Sequence, residues 1–421
     1  MIFLNLPVYA SGQPESGRTI ISGHKKNEYP GMASSVQYRK ILLITTYTYP
    51  DFSGSGRNAF YFARFLADEG HPVAILTFNR NMERKGTEAV EGVSIHRIPY
   101  FPVNVFSKVL SLLTILPNYI YYVFRNDILV VYGTRIPAYE TILLLGRFMK
   151  KRVIFRPLLP GVDDLYSLME GRRKMLRMLY RLLFRGVNVY FSINRQFAKA
   201  YRQYFPDSGK CVEGVQGVDT DRFKPADEVE RKRLRQQLNI PGDILVLVSA
   251  GFVIPRKGYR EIIMALEKVG IPFLYIVAGE YRFREHHFLR NNREWAQDTV
   301  DMGNKILGDR IRFAGEIEQV ADYLRASDLF IHSAEKEGFP NALLEAMSCG
   351  LCSLVRKFPG LDETFCRYDQ NMIIYEEAGQ LPGLIEKFGS NKQERDRIGK
   401  NAVKMIHERG SFQWVLEHVL L

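Results

Sequence analysis

The sequence predicts an α/β fold made of two doubly wound domains that face a cleft. Three observations carry this prediction. Short, continuous apolar runs alternate with helical segments, which is the pattern of parallel strands buried on both faces. The alternation breaks at a turn-rich joint, Gly217-Val218-Asp219-Thr220-Asp221-Arg222-Phe223-Lys224-Pro225, and then begins again. The 421 residues of the chain give room for two or three domains.

Residues 1–38 mix Gly, Ser, Pro and charge without a period and read as a flexible extension, with Met32 an alternative start. Met1 to Ala10 lacks the basic n-region of a signal peptide. The first buried strand is Lys40-Ile41-Leu42-Leu43-Ile44-Thr45-Thr46. A loop through Gly54-Ser55-Gly56 leads to a helix from Arg57 to Glu69, closed by Gly70, which takes a left-handed cap without a Cβ penalty. Residues 73–77, 93–98, 127–132 and 152–156 continue the strand series, and 187–192 end it. The longest apolar run, 109–124, is interrupted by Pro117 and Asn118 and falls short of the roughly 20 residues of a membrane span. Beyond the joint, strands are expected at 244–250, 273–278, 311–313, 328–332 and 352–355, with helices at 258–269, 319–326 and after residue 340.

Glu337 and Glu345 bracket Gly338-Phe339-Pro340-Asn341-Ala342-Leu343-Leu344, just after the run that ends at Ser333. This places Glu337 on a strand-to-helix loop. Pro340 is read as the first helical position, where a missing N–H costs nothing, and Gly350 as the cap at the other end. Glu345 then lies about one turn into the helix. The N–H groups of Gly338, Phe339 and Asn341 face out from the helix N-terminus, making an anion site between two hydroxyl acceptors. A nucleoside-diphosphate sugar, with phosphates between two sets of hydroxyls, has the matching chemistry.

Two further strings follow strands. Gly251-Phe252-Val253-Ile254-Pro255-Arg256-Lys257-Gly258 puts two cations at a strand's C-terminal end, facing the cleft. Gly54-Ser55-Gly56-Arg57-Asn58-Ala59 matches the dinucleotide fingerprint. That fingerprint needs a tight turn straight after the strand and an acid after the second strand. Here Tyr47 to Ser53 intervene, and Thr77-Phe78-Asn79 holds no acid, so a nicotinamide cofactor is not expected.

The string from Glu337 to Gly350 resembles the E-x7-E motif of family 4 retaining glycosyltransferases, which have the GT-B fold of two Rossmann-like domains. The resemblance covers about residues 39–415. It implies an acceptor-side domain at 39–220 and a nucleotide-sugar domain at 221–405. The last segment, about 406–421, would cross back to the first domain. By the same resemblance Glu337 binds hydroxyls of the donor sugar and Glu345 the ribose. Lys257 falls on the family's phosphate-binding lysine; Phe252 stands at the family's usual Arg, and Arg256 supplies the second cation. Arg256, Lys257 and Glu337 are thus the catalytic candidates. The donor-binding candidates are Gly54, Ser55 and Gly56, Gly251 and Gly315, and the helix residues Gly338, Phe339, Pro340, Asn341 and Glu345. The loop Ala314-Gly315-Glu316-Ile317 would read the base through its backbone. In the family's usual mechanism the leaving phosphate takes the acceptor's proton, so no cofactor and no metal are expected.

Several features keep two readings. Asp219-Thr220-Asp221 spells a metal–diphosphate signal, but it sits in the joint and reads as turn chemistry. Asp163 and Asp164, after the strand at 152–156, are candidates for acceptor contact or N-caps of the next helix. Cys349 and Cys352 spell C-x-x-C without a second ligand pair, so they read as the end of a helix and the start of a strand. With Cys211 and Cys366 they make no disulfide framework, which fits a reducing, cytoplasmic compartment. His332 reads as structural.

Lys+Arg exceed Asp+Glu by 58 − 46 = 12, a balance that suits phosphorylated ligands or anionic lipid. With neither zinc-finger spacing nor a basic helix interleaved with aromatics, nucleic acid is not an expected partner. Arg173, Arg177, Arg181 and Arg185 make one basic stripe, with Leu176, Leu179, Leu182 and Leu183 as its apolar face. This reads either as docking on an anionic membrane, on its inner face, or as an ordinary amphipathic surface helix. The expected function is transfer of a sugar from a nucleoside-diphosphate donor to a hydroxyl of a glycan or lipid-linked acceptor. The alternatives are a non-catalytic nucleotide-sugar-binding subunit and a sugar-nucleotide epimerase or hydrolase.

Overall fold

The computed structural model describes residues 38–50, 53–79, 86–100, 104–283 and 290–421. The N-terminal extension read from the sequence lies outside the described residues, apart from Tyr38.

The first sheet opens with β1 (Ile41–Ile44), α1 (Gly54–Asp68), β2 (Val73–Asn79), β3 (Thr87–Val90) and β4 (Val93–Pro99). It continues with α2 (Val105–Arg125), β5 (Ile128–Tyr132), α3 (Tyr139–Phe148), β6 (Arg152–Arg156), α4 (Leu165–Met169) and α5 (Lys174–Arg185). It closes with β7 (Val189–Ser192), α6 (Arg195–Tyr204) and β8 (Cys211–Glu213). The strand order is β3-β4-β2-β1-β5-β6-β7-β8, parallel throughout except for β3 against β4. Two of these strands were not expected. β3 (TEAV) is a half-exposed edge without an apolar run, and β8 is three residues long, after the strand read as the last.

Helix α1 also begins earlier than read. Ser53 caps it by accepting from the Gly56 N–H at 3.0 Å, so Gly54, Ser55 and Gly56 form its first turn rather than a loop. A Cβ on Gly56 would lie 2.3 Å from the Tyr47 carbonyl oxygen, so glycine is required there by the loop folded over it. Nor does Pro117 break α2. The helix runs through it, and the carbonyl it leaves unpaired belongs to Leu113, on an exposed face.

Steps from β4 to β5, β5 to β6 and β6 to β7 all run one way along the sheet, while β1 to β2 runs the other way. Right-handed crossovers therefore put α2, α3 and α5 on one face and α1 on the opposite face. Contacts agree, with α3 packed between α2 and α5. In α5 the apolar face read from the sequence is divided. Leu183 goes inward with Tyr180 and Phe184, Leu176 is half-buried, and Leu179 and Leu182 stay exposed. The inward register is set by Tyr180 and Phe184, which a leucine count overlooks.

The second sheet follows α7 (Glu228–Gln237) with β9 (Leu245–Ala250), α8 (Tyr259–Leu266), β10 (Phe273–Ala278) and α9 (Arg293–Leu307). Then come β11 (Ile311–Phe313), α10 (Val320–Ala326), β12 (Leu329–His332), α11 (Asn341–Ser348), β13 (Cys352–Arg356) and β14 (Ile373–Tyr375). All six strands are parallel, in the order β11-β10-β9-β12-β13-β14. Their inward faces fill two apolar layers, one under α11 and one under α8. Cys349 caps α11 and Cys352 opens β13, both buried.

After α12 (Leu381–Ser390) and α13 (Lys392–Arg409), the chain returns to the first sheet. In α14 (Phe412–Val415), the Phe412 ring lies 5.1 Å from Phe62 and 5.8 Å from Phe65 of α1. The joint and this segment are stitched together by Val218 N–H to the Gly410 carbonyl at 2.9 Å and Phe412 N–H to the Val218 carbonyl at 3.0 Å. Truncating a buried phenylalanine costs about 3–5 kcal/mol. Phe412→Ala should accordingly lower the urea midpoint of the first transition, and an unchanged midpoint would show that this segment does not hold the two halves together.

Candidate functional site

The site forms where the C-terminal ends of β9 and β12 meet the N-terminus of α11. Beyond β9 the chain makes a single 3-10 turn, Pro255–Lys257, ended by Gly258 in the left-handed region (φ 69°). That turn aims two cations at one carboxylate. Lys257 Nζ lies 2.6 Å and Arg256 NH1 2.8 Å from Glu337 Oε1. Arg256 also donates to the Lys336 carbonyl at 3.2 Å. The three catalytic candidates thus sit together.

Glu337 is only 8% exposed. Burial pushes its carboxyl up, but Lys257, Arg256 and the hydrogen bond from Lys257 outweigh burial and hold it at about 2. Lys257 itself is lowered by burial and partly restored by Glu337. We read the pair as charged on both sides, since each side supplies what the other's burial requires. His332, one strand end away, is pushed down to about 3 by burial and by Lys257, so it stays neutral. It stacks on Phe330 as a core residue.

Pro340 is the N-cap of α11, and the helix begins at Asn341, one residue later than read. Glu345 is half-buried one turn in. It lines a small cavity with Arg57, Asn58 and Tyr61 of α1, so the space between the two sheets is walled from both sides. Burial raises the Glu345 carboxyl, opposed by Arg57 and Arg222. The Arg222 guanidinium lies 4.2 Å from the centre of the Tyr61 ring.

The first half of the chain grips this helix terminus through amides. Asn194, just after β7, donates through Nδ2 to the carbonyls of Gly338 at 2.8 Å, Glu337 at 3.3 Å and Pro359 at 3.3 Å. Gln216 donates through Nε2 to the Phe339 carbonyl at 2.6 Å and to Asn341 Oδ1. Asn341 donates in turn to the Gly54 carbonyl at 2.7 Å. A Cβ on Gly338 would lie 2.0 Å from the Leu158 carbonyl oxygen, so only glycine fits where the two halves touch. The donor-side residues Gly54, Gly338, Phe339, Pro340 and Asn341 are therefore brought to one place. Ser55 stays within the first turn of α1, near Ser53. Gly251 and Gly315 sit at the ends of β9 and β11, both with positive φ (131° and 75°).

Nothing local in the sequence singles out Asn194, which also caps α6 by accepting from the Gln196 N–H at 2.8 Å. Its amide reaches the second half of the chain, and no local pattern encodes that.

Asp163 and Asp164 turn out to hold backbone in place. Asp163 accepts from Thr134 N at 2.9 Å, Thr134 Oγ1 at 2.6 Å, Leu158 N at 3.1 Å and Leu159 N at 3.0 Å. Those four bonds use its full capacity. Asp164 caps α4 by accepting from the Ser167 N–H at 2.9 Å. Of the two readings, capping is seen for Asp164, while Asp163 anchors Thr134 and the Leu158–Leu159 backbone. Asp219 likewise accepts from the N–H groups of Asp221 at 3.0 Å and Arg222 at 3.1 Å, which is turn chemistry.

Residues 230–405 match the family described as Glycosyl transferases group 1. The chain is 22% identical over 360 residues to the GPI3 subunit of phosphatidylinositol N-acetylglucosaminyltransferase of Saccharomyces cerevisiae, covering 82% of this chain and 73% of that one. In structure it is similar to a glycosyltransferase from Rickettsia africae (TM-score 0.69, 16% identity, covering 91% of this chain and 97% of that one). It is also similar to Anabaena HepE in complex with UDP-glucose (TM-score 0.67, 17% identity, covering 91% and 98%). The fold is GT-B, as the resemblance implied.

Two predictions follow from the buried pair and the amide grip. Glu337→Gln strands Lys257 without a counter-charge and should cost roughly 3–5 kcal/mol in the ligand-free protein. The Glu337 carboxyl is depressed to about 2, so its contribution is present above about pH 4.5 and lost as pH falls towards 2. Calorimetric midpoints of wild type and variant should therefore differ at pH 7 and converge in strong acid; equal midpoints at pH 7 would refute the pairing. Asn194→Ala should reduce kcat at least tenfold with a smaller change in donor KM, because the residue holds the backbone of the loop bearing Glu337. Glutamine at that position should not rescue it, and full activity in the alanine variant would remove the role.

Proposed function

We propose, for a chain whose residues 230–405 match the family described as Glycosyl transferases group 1, a retaining and metal-independent transfer from a nucleoside-diphosphate sugar to an acceptor hydroxyl. One observation carries the reading: Lys257 and Arg256 converge on Glu337 at the N-terminus of α11, inside the cleft. A departing diphosphate needs fixed positive charge where its own negative charge grows. Two cations and the outward N–H groups of a helix terminus supply it. Glu337 and Glu345 then flank the phosphates as acceptors for sugar and ribose hydroxyls.

The bond from the anomeric carbon to the diphosphate oxygen breaks, and the acceptor oxygen bonds to that carbon. The acceptor's proton goes to the leaving phosphate oxygen on the same face. This route asks for no protein base, which suits a site whose one histidine, His332, is buried and held neutral. With the cationic role filled by Arg256 and Lys257 and with Asp219 used in a turn, a divalent metal has no part in the scheme. HepE's binding of UDP-glucose makes UDP the first donor base to test. The name of the yeast relative, an N-acetylglucosaminyltransferase acting on phosphatidylinositol, favours a lipid-linked acceptor. The work would then be done at the inner face of a membrane.

The second reading, a non-catalytic donor-binding subunit, is favoured by Phe252. This residue packs near Phe283, with ring centres 6.2 Å apart, where the family usually places an arginine. A sugar-nucleotide epimerase or hydrolase would instead consume donor with no acceptor present.

Thermal-shift titration with UDP, GDP, ADP, dTDP and CMP in EDTA separates these readings. At 100 times its Kd a ligand adds about 2.7 kcal/mol of stability. UDP should stabilise the wild type, and Glu345→Ala should weaken that effect. No stabilisation by any diphosphate would overturn the donor site. Binding without turnover would favour the subunit, and an absolute need for added Mg²⁺ would overturn the metal-free scheme.

A further inference from the structure

The face of the first sheet opposite α1 carries exposed apolar side chains on three neighbouring helices. Helix α2 is apolar on two sides. Ile115, Tyr119 and Val123 face the core, yet Leu113, Leu116, Ile120 and Phe124 are exposed, Leu113 by 70%. A helix apolar all round expects an apolar surrounding on both sides. On α5, Met175, Met178, Leu179 and Leu182 recur at helical spacing and are also exposed, Met175 by 77%. Between the two helices, α3 presents Leu144 and Phe148, the latter 86% exposed.

The three stripes are physically joined. The Arg147 guanidinium of α3 donates to the Leu182 carbonyl of α5 at 3.2 Å. Lys151, just beyond α3, donates to the Phe124 carbonyl of α2 at 2.9 Å, with its ammonium 5.9 Å from the centre of the Phe124 ring. Monomeric soluble proteins seldom gather this many large exposed apolar side chains on neighbouring helices without a use for them.

Charge identifies the occupant. α2 and α5 contain no acidic residue, and α3 contains only Glu140, which accepts from the Tyr180 hydroxyl at 3.3 Å. Arg177, Arg181 and Arg185 line the edge of the patch and are exposed. A second copy docked on this face would bring together two surfaces whose α2 and α5 hold no acidic residue to pair with those arginines. An anionic lipid surface instead meets basic edges with phosphate and apolar side chains with acyl chain. No helix among the described residues is long and apolar enough to cross a membrane, so contact lies in the plane of the surface.

We infer that α2, α3 and α5 together form a membrane-docking face that seats the first domain on an anionic bilayer. Its apolar side chains enter the interface and its arginines sit at the headgroups. The surface is wider than the arginine stripe and turned from the leucine face that the sequence suggested. It deepens the lipid-linked acceptor reading and rests on that reading for its purpose. Vesicle binding needs neither donor nor turnover, so the two can fail separately.

The test is co-sedimentation of the full chain with phosphatidylglycerol–phosphatidylcholine vesicles and with pure phosphatidylcholine vesicles. Wild type should partition at least tenfold more strongly into the anionic vesicles, and raised salt should weaken this. Phe148→Ser combined with Leu179→Ser alters only exposed positions. It should keep the wild-type Tm and lose at least tenfold in partitioning. Arg177→Glu combined with Arg181→Glu should lose more than tenfold, since each basic residue near the surface contributes roughly fivefold. Wild type remaining in the supernatant, or serine and glutamate variants binding like wild type, would overturn the proposal. So would a wild-type dimer that the serine variant dissolves while no vesicle is bound.

Discussion

A carboxylate buried at a helix N-terminus is stable only if fixed positive charge reaches it, and the cleft of this protein is arranged around meeting that demand for Glu337. Lys257 lies 2.6 Å and Arg256 2.8 Å away, both presented by a single turn that Gly258 ends in the left-handed region. Neither charge of the Lys257–Glu337 pair would be tolerated alone at this depth. The same demand makes the cluster useful. Cations held in place before a ligand arrives need no reorganisation when negative charge develops on a leaving group.

The cluster depends on a backbone that is held from outside its own domain. Asn194 and Gln216 donate to the carbonyls of Glu337, Gly338 and Phe339, and Gly338 lets the Leu158 backbone approach where any Cβ would collide. Asn341 and Gly54 add a bond in the other direction. These contacts tie the loop bearing Glu337 to the first half of the chain. A change in how the halves sit would be felt directly at the catalytic candidates. Val218, Gly410 and Phe412 stitch the joint and the last segment together beside α1. The joint and the site are thus supported by neighbouring parts of one structure.

The two faces of the first sheet have different tasks. The α1 face meets the cavity beside Glu345 and receives the C-terminal segment. The opposite face carries α2, α3 and α5, with apolar side chains that no part of the described chain covers. This division follows from strand order, because crossovers stepping in one direction put their helices on one side.

Much of this was legible without coordinates. Continuous apolar runs such as Leu42-Leu43-Ile44 and Phe330-Ile331 mark buried parallel strands, because a strand covered on both faces has no polar side to show. Gly70 and Gly350 mark helix ends, because only glycine takes those caps without strain. Glu337, Lys257 and Arg256 were legible as neighbours because each follows a strand end of the same sheet. What tertiary structure alone decided is what depends on distant partners. Asp163 read as an acceptor contact or an N-cap, yet four donors from two loops fill it. Asn194 drew no reading at all, yet its amide binds residues more than a hundred positions away. Leu179 and Leu182 looked like the buried face of α5, yet Tyr180 and Phe184 took the interior. Periodicity shows that a helix has an apolar side, while only packing against neighbours decides which apolar residues leave water.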